Sequence, residues 1–388
     1  MLLPDAGDAG RSTLGFRLVV LLSTFQRERS DLLLLLCTMF FLWPAVLGAL
    51  VSVQSFVSHA HAKVVGAAVL PHGDFAFDPS LVDFKNHSVA LHDGSKLVGA
   101  AIADLEPDLI VLTTPHGIES ERDFVFYKNS NGSGFASIGD DLHNASFPSY
   151  KVPLNVTMDP DTVAHLASSL LALNPSANVS TLLSFADSEA QALRWGEVVP
   201  LKLIFDEYNK TSSGNGSDGA SLPQVVIWSV PSRRYTQTDT MVGSGEMTSL
   251  GEDLGHTLEA MPERVVVVVS ADLAHTHLAS GPYGYSKDAE PFDEACGVWA
   301  RSLNRSALLD TALQHAAHAE SCGYTGLVVL DGLLQSTPNN SALGAVHGRR
   351  LRGAGSSHKV EWNSSIVVGP FHPTYYGMMP AMFELISA

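Results

Sequence analysis

Residues 264–275 read RVVVVVSADLAH, five successive valines followed by a short polar turn and a histidine. β-Branched side chains with no polar face between them predict a strand covered on both sides, as in a parallel sheet. Two other runs have the same form. Val64–Leu70 leads into Pro71-His72-Gly73, and Leu109–Thr114 leads into Pro115-His116-Gly117. The intervening segments change period. Leu97, Val98, Ala101, Ile102 and Leu105 follow helical spacing, and Asp159-Pro160 opens a helix running to Leu171. Residues 188–192, 201–208 and 249–260 also read as helical, and 225–230 as a further buried strand. The expected fold class is α/β, a single mostly parallel sheet flanked by helices. Ligands of open α/β sheets bind beyond the carboxyl ends of the strands. A metal site is expected there, where His72, His116 and His275 emerge.

Polar stretches interrupt this pattern. Residues 128–141 are rich in Gly, Asn and Ser and predict a loop or an irregular hairpin, while 211–221 and 352–358 have linker composition. They read as surface insertions, because regular segments resume after each. The expected organisation is an N-terminal tail over 1–30, an apolar segment over 31–54 and one catalytic domain over 64–388.

The chain has 388 residues, 45% of them hydrophobic, and a formal net charge of −17. Residues 1–62 carry four basic and four acidic side chains, so the excess negative charge belongs to the remainder of the chain. Such a surface repels phosphate backbones and shows no basic stripe, which argues against nucleic acid as a partner. Residues 32–53 are free of charge and match the length of a bilayer span. Arg27 and Arg29 precede them, and Ala60-His61-Ala62 is a small-x-small cleavage pattern. Entry to the secretory pathway is expected, with two outcomes open. One is a cleaved signal peptide; the other is a retained single-pass membrane anchor with a lumenal or extracellular C-terminal domain. Ten Asn-x-Ser/Thr sequons all follow the apolar segment, as expected of a glycoprotein. Cysteine is sparse, and Cys296 and Cys322 form either one bridge or two buried thiols.

The histidines carry the chemistry. Two imidazoles and one carboxylate on one face hold Fe(II) and leave positions open for substrate and O2. His72 and His116 are the best histidine ligands, since each follows a strand and a proline and precedes a glycine that permits a tight turn. Glu320, Asp74 and Asp272 are the candidate carboxylates, and periodicity does not select among them. His275 suits general acid–base work, with His277 as its substitute two residues on. Tyr283 and Tyr285, in Gly281-Pro282-Tyr283-Gly284-Tyr285, are candidates for the wall of a substrate pocket.

These motifs together resemble a known family. Pro-His-Gly at 71–73, TTPHG at 113–117, SADLAH…GPYGY at 270–285, AESCG at 319–323 and PFHPTYYGM at 370–378 are similar to motifs of the class III extradiol ring-cleavage dioxygenases. The similarity is to the superfamily of their catalytic subunits, which includes Memo-like proteins. The resemblance implies a non-haem Fe(II) held by His72, His116 and Glu320, with His275 as the base that deprotonates a catechol-like substrate before O2 opens its ring. Two positions depart from the family pattern. Pro-His-Gly-Asp at 71–74 lacks the further proline that usually follows the histidine, and Glu320-Ser321-Cys322-Gly323 carries one residue more than Glu-Cys-Gly. One residue turns a helical side chain by about 100°. Two other readings accompany the dioxygenase: a zinc-dependent hydrolase on the same donors, and a Memo-like binding protein with a vestigial site. A homo-oligomer is compatible with each.

Overall fold

The computed structural model describes residues 63–81, 87–140, 149–185, 189–214, 222–231, 245–336 and 360–387, all within the unit Ala62–Ala388. The expected tail, apolar segment and cleavage pattern lie outside the described residues. Among the described residues, no helix is long and apolar enough to cross a membrane. Of the sequons that fall on them, Asn131, Asn155, Asn209, Asn304 and Asn363 are exposed and Asn178 is half-buried.

The strands are β1 (Val64–Leu70), β2 (Leu109–Thr114), β3 (Phe124–Tyr127), β4 (Asn131–Ile138), β5 (Tyr150–Thr157), β6 (Val179–Leu182), β7 (Gln191–Leu193), β8 (Gln224–Ser229), β9 (Val265–Ser270), β10 (Val360–Val367) and β11 (Ala381–Ser387). Eight of them form one sheet in the order β10-β11-β1-β9-β2-β8-β3-β6. The three predicted strands β1, β9 and β2 are its parallel centre, and β8 extends it in parallel beside β2. Period-two alternation makes the valine run serve both faces. Val265, Val267 and Val269 join one buried cluster, and Val266 and Val268 join the other. The helices Pro160–Leu173, Glu246–Glu259, Ala289–Ser302 and Tyr324–Gln335 cover the first face. His87–Asp104 and Trp195–Gly214 cover the second.

Three expectations need correction. The sheet is mixed rather than mostly parallel, since β11 runs antiparallel to both β1 and β10, and β3 antiparallel to β8. A buried apolar run reads the same in either direction, so its sequence carries no orientation. A second sheet, β5-β4-β7, stands apart from the first. It takes in residues 131–138 of the Gly- and Ser-rich stretch expected to be a loop or an irregular hairpin, and these pair antiparallel with β5. Residues 191 and 192, within the 188–192 stretch expected to be helical, instead belong to β7, which pairs in parallel with β4.

Candidate metal and substrate site

The register of the central strands brings the functional side chains together. Leu70 pairs with Ser270, and Val269 pairs with both Val69 and Thr113, so β1, β9 and β2 end level. Two residues beyond these ends stand His72, Asp272 and His116. The His72 and His116 rings meet edge to face with centroids 4.8 Å apart.

Hydrogen bonding assigns the tautomer of His72. The one hydroxyl proton of Ser270 goes to the Gly196 carbonyl at 2.5 Å, because a carbonyl can only accept. Ser270 Oγ therefore accepts from His72 Nδ1–H at 2.9 Å, and the ring turns its Nε2 lone pair away. That nitrogen lies 3.4 Å from Cys322 Sγ and 3.3 Å from Asp272 Oδ2. Asp272 also accepts the backbone N–H of His72 through Oδ1. All three of His72, Asp272 and Cys322 are buried. Electron-pair donors converging on one point with little exposed surface suit a cation placed among them.

The grouping of candidate donors differs from the set that the resemblance implies. His72, His116 and Cys322 each present a ligand atom within 4.8 Å of the others, and Glu320 is not in that group. Glu320 ends the helix Leu313–Ala319 in a left-handed conformation, φ 55°, and is half-buried. Ser321 Oγ and Gly323 N then donate to the Asp272 carbonyl, hooking the turn onto the end of β9. Gly323 allows this approach, since a Cβ there would lie 2.5 Å from Ala271 Cβ and 2.6 Å from Asp272 O. The turn sets Cys322 Sγ 3.4 Å from His72 Nε2. Cys296 and Cys322 are both free thiols, so the bridge does not form.

Above this floor opens a cavity of about 680 Å³. His275 lines it and is half-buried, its backbone N–H bonded to Ala319 O at 2.7 Å. The rings of Tyr283, Tyr376 and Tyr375 surround it at 5.3, 6.0 and 6.2 Å. Across the cavity, Phe135 of β4 and Trp195 complete an aromatic wall, with Trp195 5.0 Å from the His116 ring. Tyr285 is 67% exposed and, like His277, is not among the lining residues. His277 is buried against Asp293 at 2.8 Å, and burial pushes the Asp293 carboxyl upward while that contact opposes it. Asp74 lines the cavity too, accepting Gly139 N–H at 2.7 Å. Sequence reasoning passed over Cys322 as a candidate donor and did not single out Trp195, Phe135, Tyr375 and Tyr376. The tyrosines were visible only as part of the PFHPTYYGM resemblance.

Behind His116, Tyr127 and Glu197 brace the turn. The Tyr127 hydroxyl accepts Ile118 N–H and donates to Glu197 Oε1 at 2.8 Å, while Glu197 Oε2 accepts Arg194 N–H. Gly117 must be glycine, because a Cβ there would strike the Tyr127 hydroxyl. Burial raises the Glu197 carboxyl from 4.5 to about 7. The folded chain thus keeps a proton that the unfolded chain loses above 4.5, and stability falls as pH rises from 4.5 to about 7. The difference corresponds to roughly 3 kcal/mol. Urea denaturation at both ends of this window is expected to show that loss in wild type and a flatter dependence in Glu197→Gln. Equal slopes in the two proteins would remove Glu197 as the cause.

An α/β sheet with an aromatic cavity over clustered imidazole and thiol donors defines a class of protein suited to holding a metal beside a planar substrate. The chain belongs to the family of the catalytic LigB subunit of aromatic ring-opening dioxygenase, whose pattern matches residues 66–351. It is also similar to Protein CA_C1420 of Clostridium acetobutylicum, 23% identical over 239 residues. That match covers 60% of this chain and 44% of the relative, so the chain spans less than half of the relative's length.

Proposed function

We propose that this protein is a non-haem Fe(II)-dependent extradiol dioxygenase, opening the ring of a catechol-like aromatic with O2. The observation that carries the reading is the convergence of His72, His116 and Cys322 under an aromatic cavity that His275 lines. Two imidazoles are donors that iron accepts. A thiolate supplies the same single negative charge as the carboxylate of a two-histidine, one-carboxylate iron site, so the set balances a divalent iron in charge. When bound, the iron holds catechol and O2 in contact and polarises both. The chain's own residues do the rest. His275 takes the proton of one catechol hydroxyl and returns it after the carbon–carbon bond beside the diol breaks. Tyr283 and Tyr375 flank the ring and orient it, and Trp195 with Phe135 offers apolar surface to it. Each turnover joins one O2 to one ring, with both oxygen atoms retained in the product.

Cys322 also favours a second reading. Thiolate is softer than carboxylate and suits zinc, which on these donors would activate water for hydrolysis. Dioxygen uptake by the anaerobically iron-loaded chain in the presence of catechols tests the first reading against the second.

A further inference from the structure

Three segments meet behind the aromatic wall. His277 lies two residues past His275, Glu290 stands in the first turn of the helix Ala289–Ser302, and His372 precedes Tyr375 and Tyr376. Both histidines face the same Glu290 oxygen, His277 through Nδ1 at 4.0 Å and His372 through Nε2 at 3.4 Å. Their rings are stacked, with centroids 4.0 Å apart and planes 3° from parallel. The other nitrogen of His277 is 2.8 Å from Asp293 Oδ2, and Asp293 Oδ1 accepts Ala274 N–H. Asp293 is buried and held from two sides. It draws the Nε2–H of His277 to itself, leaving the Nδ1 lone pair directed toward Glu290.

We propose that His277, Glu290 and His372 form a second metal site, separate from the cavity and suited to a divalent transition ion of the zinc type. Two imidazoles and one carboxylate are zinc donors, with a water completing the four. Asp293 supplies the outer carboxylate that orients a ligating histidine and strengthens it as a donor. The three donor atoms lie within 4.8 Å of one another. Donors sharing a tetrahedral ion at bonds of about 2.0–2.2 Å stand roughly 3.4 Å apart, so closure needs movements of about 1 Å. Glu290, 77% exposed, makes most of that movement, while His372 tilts out of the stack so that both in-plane lone pairs meet one ion. His277 is the fixed point. The bound ion ties the His275 turn to the segment carrying the tyrosines, where His277 N–H already donates to Tyr375 O at 3.0 Å. It therefore acts as a clamp on the pocket wall, and this holds whatever reaction the pocket performs.

The test is zinc titration of the full chain bearing His116→Ala and Cys322→Ala, which removes donors of the first group. One zinc per chain is expected to remain, with affinity falling at least about tenfold on adding Glu290→Gln or His372→Gln. Zinc should raise the unfolding temperature of the parent and not of these two variants. Cobalt in the same parent should show visible bands of nitrogen and oxygen ligation without thiolate charge transfer. Glu290 is at the surface, so its variant keeps the fold, which circular dichroism verifies. If the parent loses its fold, wild type against Glu290→Gln decides the matter, with zinc expected to drop from two per chain to one. Zinc binding that neither substitution weakens, or none at micromolar zinc in a folded chain, overturns the site.

Discussion

Cys322→Ser is expected to weaken iron binding at least about 100-fold, while Glu320→Gln leaves it within about twofold. Serine matches cysteine in shape but supplies no anionic donor near neutral pH, so the substitution isolates the thiolate. Cys322 Sγ lies 3.4 Å from the His72 nitrogen that Ser270 leaves as an acceptor. Glu320 instead caps a helix in the left-handed conformation and is not in the donor group. Iron retained after anaerobic dialysis, measured per chain, reads the difference. Equal retention in Cys322→Ser, or loss in Glu320→Gln, would return the third ligand to the glutamate that the family pattern implies.

His275→Gln is expected to cut turnover by about 10²–10⁴-fold with bound iron unchanged. His275 lines the cavity among three tyrosine rings and does not belong to the donor group of His72, His116 and Cys322. Losing the base removes proton transfer and leaves the binding of metal and substrate. The acidic limb of the pH–rate profile should disappear with it, since that limb reports the base becoming protonated. Full activity in the glutamine variant, or loss of iron along with activity, would assign the imidazole another role.

Much of this site was legible in the sequence. Proline and glycine around His72 and His116 mark chain reversals after apolar runs, and three such runs of similar length predict adjoining strand ends. Cys322 was harder to read, since a lone thiol in an apolar context reads as a small hydrophobe. Its placement rests on a turn in which the Ser321 hydroxyl bonds to the Asp272 carbonyl, a contact between distant parts of the chain. β4 reads in the sequence as a loop or an irregular hairpin because Asn131, Gly132, Ser133 and Gly134 have loop composition. Pairing with β5 and β7 on both sides decides its structure, and that information is not local. The antiparallel return of β11 beside β1 was hidden for the same reason. The stacked His277–His372 pair joins residues nearly a hundred positions apart, and only the folded chain brings them together.

The most direct test of the dioxygenase reading is dioxygen uptake by the full chain, purified and iron-loaded without oxygen, against a panel of catechols. Uptake is expected to require a catechol, to match ring-opened product one for one, and to vanish in His72→Ala. A folded, iron-loaded wild type that consumes no dioxygen with any catechol of the panel would contradict it.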